Sequence, residues 1–179
     1  MITVEEAKAH CRIEHSEEDA LVQSLIKAAC RHAENHTGRA IEKRDSETAV
    51  IDGFPRGRAG IELSWSPLRS VTEVRYLDAI GTEQTLTAGQ LAVDHRTVYP
   101  TLYPAWGTDW PATNGQPMSI TITANVGYDQ IPEDIRSAML LIIGHLYENR
   151  EAVVIGTIAT TLPFSVETLL APYVIHPVG

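Results

Sequence analysis

The chain has 179 residues, of which 44% are hydrophobic and 21% charged, enough to bury the core of one domain or of one domain carrying an insertion. Its 14 Lys+Arg against 23 Asp+Glu leave a net charge of −9, the opposite of the balance that grips phosphate backbones, so high-affinity nucleic-acid binding is not expected. "MITVEEAKAH" has neither the basic start nor the apolar run of a secretory signal. The longest apolar run, "AMLLII" at 138–143, is too short to cross a bilayer, and two cysteines make no disulfide framework, so a reducing cytoplasm is the expected place of folding.

The first region reads as helical. Thr3 followed by Glu6 is a capping-box pair opening a short helix that ends near Cys11. Ser16, with Glu17, Glu18 and Asp19 behind it, reads as the N-cap of a second helix whose dipole favours those acids. That helix is predicted to run to Thr37 and stop at Gly38, with Leu21, Val22, Leu25, Ile26, Ala29 and Ala33 as its buried stripe.

Residues 45–128 read as β. "IELSW" (61–65), "VTEVRYL" (71–77) and "MSITITANV" (118–126) are rich in branched and aromatic side chains. In the last, Ile120, Ile122, Ala124 and Val126 are set to face one way, and Ser119, Thr121, Thr123 and Asn125 the other. Turn chemistry separates the strands at 52–60, at 78–82 and in the long Pro/Gly/Trp-rich loop 103–117, a candidate mobile segment.

Helix returns at Pro132, which suits a first turn, with Glu133 and Asp134 beside it. At about 100° per residue, "AMLLIIGHLY" (138–147) is apolar almost all round, so it predicts a helix covered on most sides by its own fold or by a neighbouring subunit. Ser165 reads as the cap of a final helix, "VETLLA", ended by Pro172.

Both cysteines and four of the seven histidines lie in the first 36 residues, in "HCRIEH" and "CRHAENH", which raises zinc. Cys30 and His32, two apart on a helix, point about 160° away from one another and cannot share an ion. His32 and His36 share a face at i, i+4, but it is the face of Leu21 and Leu25; the pair reads as covering the helix end, with Cys11 and Cys30 as small hydrophobes. His145 and Glu148 stand i, i+3 without the second histidine of a zinc-protease helix, so Glu148, Asn149, Arg150 and Glu151 read as a helix end with ion pairs. No nucleophile elbow and no phosphate-cradling glycine loop is present in the sequence, and no local pattern pairs a His with Ser or Cys. No cofactor is expected.

The order of segments carries a resemblance. "EEAKAH…R" followed by "EEDALVQSLIKAA", then "TGRAI", "PLRSVTEVRY" and "IPEDIRSAMLLIIGHLYENREA", resembles the head–tail connector (adaptor) proteins of tailed bacteriophages and related prophages, the HK97-type connector family, over about residues 2–173. The resemblance implies a structural virion protein, not an enzyme. It would form a ring of about twelve copies below the portal, extend the DNA channel without binding DNA specifically, and dock a stopper or tail. It also implies assembly in the cytoplasm of a bacterial host, location at the head–tail interface, and no membrane partner. Because some relatives are almost wholly helical, the β region would be an insertion.

The expectation is therefore an α+β protein: a helical bundle from 1–42 and 129–179 around an inserted antiparallel β-sandwich or barrel at 43–128. Met139, Leu140, Ile143 and Tyr147 are the subunit-interface candidates, from the all-round apolar helix. Phe164, Leu169, Leu170 and Tyr173, in an apolar C-terminal segment that either packs on the protein's own helices or, as the resemblance implies, docks on the portal and orders there, are the portal-contact candidates. The alternatives are another head- or tail-completion ring protein, or a small metal-dependent enzyme using His10, His32, His36 or His145.

Overall fold

The computed structural model describes residues 1–150 and 164–175. It is an α+β protein, as the periodicities predict, and divides into two compact units, Met1–Ile41 with Asp129–Gly179, and Glu42–Tyr128. No helix among the described residues is long and apolar enough to cross a membrane.

Among the described residues the first unit has α1 (Val4–Cys11), α2 (Asp19–Thr37), α3 (Glu133–Glu148) and α4 (Phe164–Leu170). At the start of α1, Thr3 Oγ1 accepts from Glu6 N–H at 3.2 Å, one half of the expected capping box. The Glu6 carboxylate is turned to Arg136 on α3 instead, at 2.5 Å. After Cys11 the chain reverses through Arg12 in the left-handed region (φ 57°), whose N–H bonds the carbonyls of Ala9 and Lys8.

The α2 boundary differs from expectation at its start and agrees at its end. Asp19 N–H bonds the Ser16 carbonyl in a turn, and helix begins only after Glu18, so Ser16 is not the N-cap. At the other end Gly38, at φ 71°, donates to the Glu34 carbonyl, the stop that the sequence marks. Val22, Ile26, Ala29, Cys30, Ala33 and Thr37 form the buried stripe, with Leu21 and Leu25 at its half-buried margin.

Helix α3 is the axis of this unit, with α1, α2 and α4 all packed on it. Ile135, Ala138, Met139, Ile142 and Ile143 are buried on it, all at 0–1% exposure. Helix α4 buries Val166 and Leu170. It begins at Phe164, so Ser165 lies within it and is not its cap, and Pro172 sits inside a closing 3₁₀ turn, Ala171–Tyr173.

The second unit holds two antiparallel sheets. Strands β1 (Arg44–Ile51), β7 (Ile120–Val126), β3 (Leu68–Leu77) and β4 (Glu83–Thr87) make one in that order; β2 (Ile61–Glu62), β6 (Thr101–Pro104) and β5 (Leu91–Asp94) make the other. The central strand β7 pairs on both sides, Ala49 and Val74 both opposite Ile122. Its predicted inward set, Ile120, Ile122, Ala124 and Val126, is fully buried. Ser119 and Thr123, predicted to face the other way, are buried as well, and Ser119 Oγ donates to the Asp52 carbonyl at 2.8 Å. "IELSW" is strand only over Ile61–Glu62, because the chain turns toward Pro67 after Leu63 bonds the Pro100 carbonyl.

The long loop 103–117 is pinned within its unit by Trp110. That ring stacks on Phe54 (4.7 Å, 6°), its Nε1 donates to the Ala59 carbonyl, and its backbone N–H donates to the Gly57 carbonyl. Gly127 follows β7 at φ +92°, and a Cβ there would stand 2.1 Å from the Glu42 carbonyl oxygen, so the position accepts only glycine.

Truncation should separate the axis from the surface. Ile143→Ala is expected to cost about 2–5 kcal/mol of stability in urea unfolding, whereas Phe164→Ala should stay within about 0.5 kcal/mol. Equal losses would show that α3 is not the core that its burial describes.

Candidate functional site

The helical unit gathers the residues that the sequence singled out. Where α1 and α3 end together, His10, Cys11, Arg12, Gly144, Tyr147 and Glu148 line an open cleft of about 270 Å³. A Cβ at Gly144 would stand in ordinary van der Waals contact with the His10 ring, at 3.5 Å. Partial burial and the nearby Glu148 carboxylate both push the Cys11 thiol above its usual range, so Cys11 is a poor nucleophile.

The donors for a metal do not converge. Among the described residues no group of three or more His, Cys, Asp or Glu is placed to hold an ion. Cys30 is buried in the α2 stripe. His32 and His36 are exposed with stacked rings, 6.5 Å between centroids. Desolvation, then the neighbouring His36, lower the His32 pKa, which favours a neutral imidazole. His145 turns Nδ1 toward the Asn149 amide at 3.4 Å, and its buried Nε2 has no hydrogen-bond partner among the described residues.

Charged clasps close the bundle. Lys8 reaches Asp19 at 2.6 Å, tying α1 to α2. Glu18 receives Arg150 Nη1 at 2.7 Å, Arg150 Nη2 at 3.1 Å and the Tyr147 hydroxyl at 2.5 Å, while the guanidinium lies 4.4 Å from the Tyr147 ring centroid. The Arg150 hydrogen bonds first, and the Tyr147 hydroxyl second, hold the Glu18 carboxyl down at about 2. The sequence predicts ion pairs at the end of α3 but gives no sign that Glu18, 132 positions away, is the partner. Glu151, the last residue of that predicted cluster, lies outside the described residues.

Of the four subunit-interface candidates, Met139 and Ile143 are wholly buried inside the chain's own unit and present no surface to a neighbour. The all-round apolar pattern is largely explained by α3 being the axis of its own bundle. Leu140 and Tyr147 are half-buried, Leu140 on the uncovered side and Tyr147 held by Glu18.

The C-terminal candidates split likewise. Leu170 is fully buried, Leu169 half-buried and Phe164 83% exposed. Tyr173 is strapped at both ends: its carbonyl accepts from Arg39 Nε at 2.7 Å and its hydroxyl meets Asp134 at 3.3 Å. Ile175 N–H adds a bond to the Thr37 carbonyl. Residues 164–175 thus pack on their own helices; 161–163 and 176–179 of the predicted docking segment lie outside the described residues.

Residues 1–60 match the profile of the Phage gp6-like head-tail connector protein family. Solved structures similar to the whole chain come from phage-like particles. One is a chain in the neck of an empty GTA particle computed with C6 symmetry, at 22% identity and TM-score 0.76, covering 99% of this chain and 92% of that one. A chain in the virion of a native gene transfer agent (GTA) particle matches at 22% identity and TM-score 0.77, with the same coverages. A chain in the neck of a native GTA particle computed with C12 symmetry matches at 23% and 0.70, covering 96% and 90%. No curated protein matches the chain.

The Glu18 clasp sets a pH signature. Because its folded pKa lies near 2, below the ordinary 4.5, its contribution is complete above about pH 4.5 and disappears as pH falls toward 2. The stability difference between wild type and Glu18→Gln is expected to be constant from pH 7 to 5 and to vanish near pH 2. A difference that grew on acidification would refute the clasp.

Proposed function

We propose that this chain is a structural connector at the head–tail interface of a tailed phage or phage-like particle. The observation that carries the reading is the agreement of two independent likenesses, the connector-family profile over residues 1–60 and the neck and virion chains over nearly the whole fold.

On this reading the protein acts by binding. Copies join side by side in a closed ring of about twelve beneath a portal protein, and a stopper or tail-completion protein docks on the ring. The C12 and C6 symmetry of the neck reconstructions supports the ring. A net charge of −9 suits a passage that lets DNA slide through without holding it. Since Met139, Ile143 and Leu170 are spent inside the unit, the contacts fall to the residues left with surface, Leu140 and Tyr147 toward a neighbouring copy, and Phe164, Leu169 and Tyr173 toward the portal.

Light scattering over a range of concentrations tests the ring. A species of about twelve times 19.7 kDa, with annular particles by negative-stain microscopy, is the expected outcome. A monomer at every concentration would argue against assembly as a property of the chain alone. Elemental analysis of protein purified without chelator is expected to find no stoichiometric zinc; one ion per chain would turn the assignment toward a metal-dependent enzyme using His10, His32, His36 or His145.

A further inference from the structure

Among the described residues α1, α2 and α4 pack on α3, and a strip along it opposite its buried face keeps accessible surface. It runs through Glu133, Ser137, Leu140, Leu141, Gly144 and Glu148, at the three- and four-residue steps that make a single line on a helix. Leu140, Leu141 and Gly144 in its middle are half-buried, while Glu133, Ser137 and Glu148 are exposed. The strip is apolar at its centre, small at Ser137 and Gly144 and acidic at both ends, and at Gly144 and Glu148 it borders the cleft that His10 and Arg12 also line.

The outward face of α2 has the opposite character. Ala20, Ser24, Lys27, Ala28 and Arg31 are all exposed on it, and no carboxylate occurs anywhere from Ala20 to Arg31. In a chain of net charge −9 this is a local inversion of sign. Among the described residues neither Lys27 nor Arg31 forms an ion pair, whereas Lys8 and Arg136 in the same unit are both paired.

The two faces cannot satisfy each other within one copy. The buried stripe of α2 (Val22, Ile26, Ala29 and Ala33) is already turned inward, α2 being packed on α3, so its cationic face points away from the strip. Resting on the connector reading above, we propose that the α3 strip of one copy receives the Lys27/Arg31 face of α2 from the next copy. A closed ring of more than two copies requires this kind of contact, in which two different surfaces of one chain meet front to back. Leu140 and Leu141 would lie over Ala28 and Ser24, where short side chains let helices approach closely, and the cations would meet Glu133 and Glu148 at the margins. A second copy is the partner whose own surface supplies the complementary face.

A mixture of ¹⁵N-labelled and unlabelled protein, treated with a carbodiimide and digested, tests this directly. Amides between Lys27 of one isotope and Glu133 or Glu148 of the other are expected by mass spectrometry. Lys27→Glu with Arg31→Glu should leave the circular dichroism unchanged and abolish the species above monomer in light scattering. Adding Glu133→Lys and Glu148→Lys to that variant should restore it. If the wild type assembles but its isotopically mixed cross-links fall elsewhere, or the charge reversal leaves the mass unchanged, the surface assignment is overturned and the ring stands. If the wild type is monomeric at every concentration and gives no mixed cross-link, both the docking and the intrinsic ring are overturned.

Discussion

A helix that is apolar on most of its circumference must be covered on most of its circumference, and α3 imposes that requirement on the helical unit. Ile135, Ala138, Met139, Ile142 and Ile143 are completely or almost completely buried, which is possible only because α1, α2 and α4 each take a side of α3. Two of these helices are too short to be stable alone: α1 has 8 residues and α4 has 7, so both exist because α3 gives them a surface to bury against. The clasps then act at the joints. Glu6 with Arg136 fixes α1 on α3, and Glu18 with Arg150 and Tyr147 fixes the start of α2 to the end of α3. These pairs select the arrangement of the helices more than they stabilise it, since partly exposed ion pairs contribute little free energy.

What was legible in the sequence is what short-range chemistry determines. Thr3 and Gly38 mark helix ends through bonds to residues three or four positions away, and both stand where expected. Ser16 failed because three acids follow it; a polar run offers several possible starts, and the tertiary bonds of Glu18 decided among them. Strand β7 was readable because its alternation is strict, whereas β4, with the sequence EQTLT and four of five residues exposed, has no apolar period to read. The pairings that close the bundle join residues about 130 positions apart, and no local pattern encodes them.

The candidate site shows the same limit from another direction. An all-round apolar helix is equally consistent with a subunit contact and with the axis of a bundle, and hydrophobicity alone does not separate them. Burial does: Met139 and Ile143 belong to the axis, while Leu140, Leu141 and Gly144 keep accessible surface. At the cysteine and histidine echo near the N-terminus, helical spacing sends Cys30 into the core while His32 and His36 stay outside.

Acidity and self-association are ordinarily opposed, since copies of a chain with net charge −9 repel one another. Such a protein can still form a closed assembly if cations are concentrated on one face and its contacting apolar surface is bordered by acids on another. Repulsion then disfavours most relative orientations and leaves the front-to-back one, so the net charge contributes specificity to assembly. The same long-range field weakens over a Debye length of about 8 Å at physiological salt, so an adjacent helix face is felt strongly and the far side of the neighbour is not. A uniform acidic surface with no Lys27/Arg31 face would keep DNA from adhering and would also keep the copies apart. On the docking proposed above, the Lys27/Arg31 face would reconcile the two requirements.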